Sequence, residues 1–242
     1  MKPTLEIVIP VLDEANSLAR QIEILDNFLA TENLHFDYRI TIAENGSVDD
    51  TLLNAKSLAR RFARVRVVSV GERGVGRALK KAWSNSNCDY VGYMDLDFAT
   101  DLKHLHQVED FFLLGTDCVY GSRLLRGSKV LRRSIVRSIT SHVLNIIAHG
   151  VFKTKVSDVM CGFKFIRTNL AKRLMKDLAV TNGWFFCAEI AITSEVEGYS
   201  LEEIPVVWTD DGKSKVKILR LSIEYLRNMR DLRQRLKYKK DQ

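Results

Sequence analysis

The chain has 242 residues, 46% of them hydrophobic and 28% charged, with a net charge of +7. That balance suits a globular body with a sizeable core and excludes a disordered or fibrous chain. No apolar run reaches the roughly eighteen residues a membrane-spanning helix needs. Strand-like sequence begins by Leu5 with no basic and apolar leader, so neither a span nor a signal peptide is expected.

Leu5-Glu6-Ile7-Val8-Ile9-Pro10-Val11 reads as a buried strand bounded by its proline. Leu18, Ile22, Leu25 and Leu29 recur at helical spacing and predict a helix over residues 17–30. Residues 38–43 form a second strand, Gly46-Ser47 turns it, and Asp49 or Asp50 caps a helix over 52–62. A third strand follows at 65–70, a helix at 75–85 and a fourth strand at 90–94. This alternation predicts a parallel sheet wrapped by helices. Past Asp97 the pattern predicts a helix at 105–114, a strand at 116–120 and a long basic amphipathic helix near 131–148. A strand at 163–166, helices at 170–178 and 187–197 and a strand at 201–208 come next. The last helix, from 216 to about 237, carries Leu219, Ile223, Leu226, Met229 and Leu236 on one side.

Charge is unevenly spread. Residues 118–157 hold eight Lys or Arg and no acid, and residues 213–242 hold eleven basic and three acidic residues, so the remaining body is acidic. Such asymmetry points to an anionic partner. A recognisable nucleic-acid module and clustered stacking aromatics are both missing, so no nucleic-acid partner is expected. The two basic helices pair their charges with apolar stripes, Ile135, Ile139, Val143 and Ile146 or Ile147 in the first, as helices lying in a lipid headgroup plane do. Four scattered cysteines, Cys88, Cys118, Cys161 and Cys187, lack C-x-x-C spacing and read as reduced residues of a cytoplasmic protein.

Three strand exits carry candidate chemistry: Pro10-Val11-Leu12-Asp13-Glu14, Ala43-Glu44-Asn45-Gly46-Ser47, and Asp95-Leu96-Asp97. Two carboxylates two residues apart at the end of a buried strand suit a divalent metal that holds a diphosphate. In open α/β sheets the ligand site lies off the carboxyl ends of the strands. The glycine-rich stretch Gly71-Glu72-Arg73-Gly74-Val75-Gly76 matches neither a dinucleotide fingerprint nor a P-loop. His104 and His106 form no zinc spacing and read as surface helix residues.

Taken in order, these motifs resemble the family 2 glycosyltransferases, which share the GT-A fold, and within them the polyprenyl-phosphate sugar synthases such as dolichol-phosphate mannose and glucose synthases. Further matches are Gly121-Ser122-Arg123, Arg137 with Ser141 and Asn145, the run Asp158-Val159-Met160-Cys161-Gly162-Phe163-Lys164, and Ser214-Lys215. The resemblance implies an α/β domain over 1–212, a mostly parallel sheet flanked by helices, and a basic C-terminal helix over 213–242. It implies inverting, metal-dependent transfer of glucose or mannose from UDP-glucose or GDP-mannose to a polyprenyl phosphate. The enzyme would be held peripherally at the cytoplasmic face of a membrane. Pro10, Leu12, Glu14, Ala43, Asn45, Met94, Asp95, Leu96 and Asp97 are expected on the donor side. Asp97 is expected to ligate Mg²⁺ or Mn²⁺, and Arg123, Arg137, Ser141 and Lys215 to receive the acceptor phosphate. Asp95, Asp97 and Arg123 would carry the chemistry. Ala99 stands where mannose synthases commonly have glutamine, and Thr209 where relatives often have arginine, which favours the glucose-transferring relatives. Asn45 replaces one of two aspartates, and Cys187 replaces an aspartate, leaving Glu189 as an orienting group or a structural acid. The competing expectations are a glycosyltransferase with a non-lipid acceptor and a non-catalytic relative that binds nucleotide sugar or membrane.

Overall fold

A computed structural model describes residues 2–132, 134–209 and 218–241, with side chains except at 135, 137, 218–220 and 240. Thr4–Val11 forms β1. Leu5, Ile7, Ile9 and Val11 enter one core and Val8 the other, as a strand covered on both faces requires. Pro10 does not end this strand. The Val11 carbonyl turns toward the second strand, where it accepts the Asn45 N–H, so position 10 faces the other neighbour. Pairing with that neighbour stops at Val8, and the missing N–H leaves no ladder bond broken.

The predicted alternation follows as α1 (Leu18–Thr31), β2 (Asp37–Glu44), α2 (Thr51–Arg61), β3 (Val65–Ser69), α3 (Val75–Asn85) and β4 (Tyr90–Met94). Then come α4 (His104–Leu113), β5 (Cys118–Ser122), β6 (Lys129–Leu131), α5 (Ile135–Phe152), β7 (Phe163–Arg167), α6 (Thr168–Asp177) and α7 (Phe186–Val196). The described chain closes with β8 (Leu201–Pro205), β9 (Val207–Thr209) and α8 (Ile218–Lys240). Seven strands make one sheet in the order β3-β2-β1-β4-β7-β5-β8. Only β7 runs antiparallel to its neighbours. Helices α1, α2 and α4 cover one face, and α3, α6, α7 and the inner sides of α5 and α8 cover the other.

Apart from shifts of a few residues at element ends, two elements differ from the sequence reading. The basic helix begins at Ile135 and runs to Phe152, because Lys129–Leu131 is taken by a small parallel ladder with Val207–Thr209. The expected strand over 201–208 is two strands. At Val206 the N–H donates to the Ser122 carbonyl while the Val206 carbonyl accepts from Lys129 N–H, so the chain passes there from the large sheet to the small one.

The last helix buries a different seam from the one expected. Tyr225, Met229, Leu232 and Leu236 are buried, whereas Ile223 and Leu226 are exposed. Tyr225 sets that seam by packing edge-on against Phe185 at 5.2 Å and donating its hydroxyl to the Trp184 carbonyl at 3.2 Å. Leu219 lies among the residues whose side chains are not described, and the expected 212/213 domain boundary also lies outside the described residues.

Candidate active site

Strand β1 has β2 on one side and β4 on the other, so the order of strands reverses beside it. A crevice opens at such a reversal, off the carboxyl ends of the strands. The exits of β1, β2 and β4 all lead into it.

On the β1/β2 side the loops are laced together. Asp13, at φ +55°, donates its N–H to Ser47 Oγ at 3.1 Å and accepts the Val48 N–H on Oδ1 at 2.9 Å. Glu14 donates its N–H to Thr51 Oγ1 at 2.7 Å, and its carboxylate accepts the Ser17 hydroxyl. Pro10, Leu12 and Glu14 are half-buried along this wall. Ala43, Met94 and Leu96, expected on the donor side, have their side chains in the core.

The buried Glu44 carboxylate accepts the Ser47 N–H and the Ser69 hydroxyl, joining the ends of β2 and β3. Burial works to raise its pKa, and the hydrogen bonds from Ser47 and Ser69 outweigh it, so Glu44 stays ionised. Asn45 donates to the Val11 carbonyl at 2.8 Å and accepts the Gly74 N–H at 3.2 Å. Its amide is turned to the chain itself, with Oδ1 bringing the glycine-rich loop to the crevice. Gly46 permits that approach: it sits at φ +85°, and a Cβ there would meet the Glu72 carbonyl carbon at 2.9 Å.

Across the crevice, β4 ends and the acidic pair begins. Asp97 is exposed, and its Oδ1 accepts the Ala99 N–H at 3.0 Å. The following residues are pinned to β9: Thr209 N–H donates to the Ala99 carbonyl at 2.7 Å, and Thr100 bridges Trp208. His104 belongs to this clamp. Its Nε2 accepts the Val207 N–H at 2.9 Å, so it is a structural pin and not the surface residue expected. Asp95 is half-buried, and its carboxyl is pushed up to about 7, first by burial and then by the Asp97 charge, with Arg123 and Lys164 acting in the opposite direction. Gly162 lies so close to this carboxylate that a Cβ would collide with it.

Arg123 departs from the expectation that it faces an acceptor phosphate. Its side chain is 7% exposed and forks onto Asp158, Nε to Oδ2 at 2.7 Å and Nη2 to Oδ1 at 3.0 Å, while the guanidinium lies 5.5 Å from the Trp208 ring centre. A buried carboxylate of the chain itself occupies the fork. Burial works to raise the Asp158 carboxyl, and the Arg123 charge overcomes it, holding it well below the usual carboxylate range. Asn145 on α5 joins this network, donating to Asp158 Oδ1 at 3.2 Å and accepting the Val159 N–H at 3.1 Å. Ser141, one turn earlier on α5, is buried, and its hydroxyl has no partner among the described residues. The Arg137 side chain and Lys215 lie outside the described residues.

Cys187 is the position at which the family resemblance led us to expect an aspartate. Its thiol is buried and pushed up to about 12 by that burial, so it cannot serve as a general base near neutral pH. Glu189 is fully buried and accepts from Thr181, N–H at 2.9 Å and hydroxyl at 2.6 Å, while pairing with Arg235 of α8. These partners make it the anchor of the last helix. Glu189→Ala is therefore expected to cost up to about 3 kcal/mol, since Arg235 is partly solvated. Thermal unfolding checks this: the midpoint falls, whereas an orienting role in the chemistry would lower turnover at an unchanged midpoint.

Asp158, Lys164 and Gly162 shape the site although sequence reasoning gave them no role there. Their signal was the run Asp158 to Lys164, one of the motifs that carry the resemblance, together with a lysine inside Phe163-Lys164-Phe165, a strand that the fold buries on both faces.

The family model described as Glycosyl transferase family 2 matches residues 6–175. Similar proteins include Glycosyltransferase AglD of Haloferax volcanii, 29% identical over 88% of this chain and 34% of its own length. The chain thus spans about a third of AglD. A dolichyl-phosphate beta-glucosyltransferase of Dictyostelium discoideum is 27% identical over 93% of this chain and 72% of its own. Among solved structures, glucosyl-3-phosphoglycerate synthase of M. tuberculosis in complex with Mn²⁺, UDP and glucosyl-3-phosphoglycerate aligns with a TM-score of 0.61 at 16% identity, covering 93% of this chain and 77% of that one. S. aureus TarS with UDP-GlcNAc aligns with a TM-score of 0.57 at 14% identity, covering 93% of this chain and 66% of that one. With the family model matched over more than half its length, and the GT-A arrangement of sheet and helices in place, the chain belongs to glycosyl transferase family 2.

Proposed function

We propose that this chain transfers glucose from UDP-glucose to a polyprenyl phosphate at a membrane surface, with inversion at the anomeric carbon. The observation that carries the acceptor class is the buried Cys187 thiol. With no carboxylate base at that position, an acceptor oxygen that is already anionic, as on a phosphate, suits the site better than a hydroxyl that must lose a proton. A phosphate oxygen attacks the anomeric carbon from the face opposite the diphosphate. The bond to the diphosphate breaks, and UDP leaves with the electron pair. The chain's share is to align two anions and to hold the leaving group's charge in the crevice beside Asp95 and Asp97. Glucose and UDP are supported by the dolichyl-phosphate beta-glucosyltransferase relatives and by the UDP-bound solved structures.

A hard divalent ion, Mg²⁺ or Mn²⁺, fits the acidic pair. The available donors are carboxylate oxygens. Among the described residues no three His, Cys, Asp or Glu side chains assemble a complete cage, which leaves ligand positions for diphosphate oxygens and water. Asp97 would hold the ion with Asp95 beside it, and the ion supplies charge neutralisation of the leaving diphosphate.

A soluble phosphate acceptor is the second reading, favoured by a solved relative that holds phosphoglyceric acid. Support for the lipid comes from α5. Val136, Ile139, Val143 and Ile146 form a stripe that is 47–66% exposed, and no helix among the described residues is long and apolar enough to cross a membrane. That stripe would lie in the headgroup plane at the cytoplasmic face, with the surrounding basic residues meeting anionic lipid. Replacing two of its members in Ile139→Glu/Ile146→Glu is expected to weaken binding to phosphatidylglycerol-containing vesicles by more than about tenfold, since each aliphatic side chain contributes about 1.5–3 kcal/mol when buried. Flotation measures it, and a double variant that floats like the parent would remove α5 as the docking face. Calorimetric titration with UDP-glucose and GDP-mannose in the presence of Mn²⁺ tests the donor. Tighter binding of GDP-mannose would overturn the glucose assignment.

A further inference from the structure

Lys164 is the most unusual residue of the sheet. It is the second residue of β7, in register with Tyr93 of β4 and Tyr120 of β5, and all three are fully buried. A charge in that position carries a large desolvation cost, which a methionine of similar length would avoid. The ammonium reaches past the strand end and donates to the Cys161 carbonyl at 2.5 Å. Tyr93 donates its hydroxyl to the same carbonyl at 3.3 Å, and the Tyr120 ring centre lies 5.6 Å from the ammonium.

What Lys164 grips is the segment that touches Asp95. Its near end is fixed by Asp158, whose carboxylate accepts the Met160 N–H at 3.2 Å and whose carbonyl accepts the Cys161 N–H at 3.4 Å. Lys164 and Tyr93 fix the Cys161 carbonyl. Gly162 follows directly and lies flat against the Asp95 carboxylate, at a distance only a residue without a Cβ allows. Its φ is not positive, so nothing in the backbone conformation demands glycine there; the carboxylate alone does. The ammonium also acts electrostatically on both Asp95 and Asp158, favouring their ionised forms.

We infer that Lys164 and Gly162 are positioning residues that set the orientation of the Asp95 carboxylate toward the sugar of the donor, Lys164 by clamping the Cys161 carbonyl and Gly162 by the flat surface it presents. The inference rests on the reading of this crevice as a nucleotide-sugar site. It does not depend on the acceptor, so it is tested on binding. The affinity for UDP-glucose relative to UDP, both with Mn²⁺, isolates what the sugar contributes.

Two variants reach Asp95 by different routes. Lys164→Met keeps the stem and removes the clamp, whereas Gly162→Ala keeps the clamp and pushes the carboxylate aside. In each, the preference for UDP-glucose over UDP is expected to fall by at least about tenfold, the loss when a hydrogen bond to a charged group is misaligned, while UDP itself binds as in the parent. Thermal midpoints are recorded beside the titrations at a temperature where all three proteins are folded. Variants that keep the parent's preference, with only the midpoint lowered, would make Lys164 a structural residue and overturn the inference. A parent protein that binds neither UDP-glucose nor GDP-mannose would instead overturn the donor reading on which it rests.

Discussion

Asp97→Asn is expected to lower sugar transfer by about a hundred- to a thousandfold, the range seen when one electrostatic stabiliser of a transition state is removed. The substitution exchanges a charged carboxylate for a neutral amide of the same shape. Asp97 is exposed, and an asparagine oxygen can still accept the Ala99 N–H that Asp97 Oδ1 accepts at 3.0 Å. The thermal midpoint of the ligand-free protein should therefore be unchanged. What disappears is the second negative charge beside Asp95, and with it a ligand for a divalent ion. Adding Mn²⁺ with UDP should raise the midpoint of the parent and leave that of the variant where it was. A variant that retains full transfer would show that the acidic pair is only a turn.

Asp158→Asn is the substitution expected to damage the fold most. It leaves Arg123 buried with an uncompensated charge, at a cost of about 3–5 kcal/mol. The change also disturbs the Asn145 amide and the Met160 N–H, both of which donate to Asp158 Oδ1. Denaturant unfolding measures the loss. The paired replacement Arg123→Met/Asp158→Leu should recover much of it, because it removes both charges together. The pH dependence follows from the same pair. Asp158 is held below its ordinary value in the folded protein, so its contribution is complete above the unfolded pKa of about 3.9. It is lost as pH falls from there toward the lower folded value. The parent should lose stability on acidification below about pH 4 more steeply than Asp158→Asn, which lacks this titration.

The first hundred residues could be read from the chain because every signal there is local. Apolar runs of strand length alternate with helical stripes, and the turns between them fall at Gly46-Ser47 and Gly71 to Gly74. The position of Asp95-Leu96-Asp97 at the end of β4 needed nothing further. Pairings between distant segments were not legible. Lys129–Leu131 and Val207–Thr209 are three-residue strands that exist only through each other, so residues 131–134 read as the start of a helix. The seam of α8 turns on Tyr225, whose ring packs on Phe185 and whose hydroxyl is satisfied by Trp184, information that an apolar stripe does not carry.

The same limit governs the site. A motif can mark Arg123 as a residue that meets an anion, but it cannot say which one, and in the folded chain it is Asp158. Asn45 likewise reads as a group able to hydrogen-bond a base, while its amide partners are Val11 and Gly74. The sequence marks residues 163–166 as a strand but does not say where the Lys164 side chain goes. The sheet has helices on both faces, so the ammonium is enclosed.

The most direct measurement is transfer of radiolabelled glucose into an organic-extractable lipid, with the chain, Mn²⁺, UDP-glucose and polyprenyl phosphate in vesicles. The expected result is a labelled lipid that forms with the parent, is abolished by EDTA and is missing with Asp97→Asn. UDP-glucose binding with no label in the lipid, or label appearing instead on a water-soluble phosphate such as phosphoglyceric acid, would contradict a lipid-phosphate glucosyltransferase.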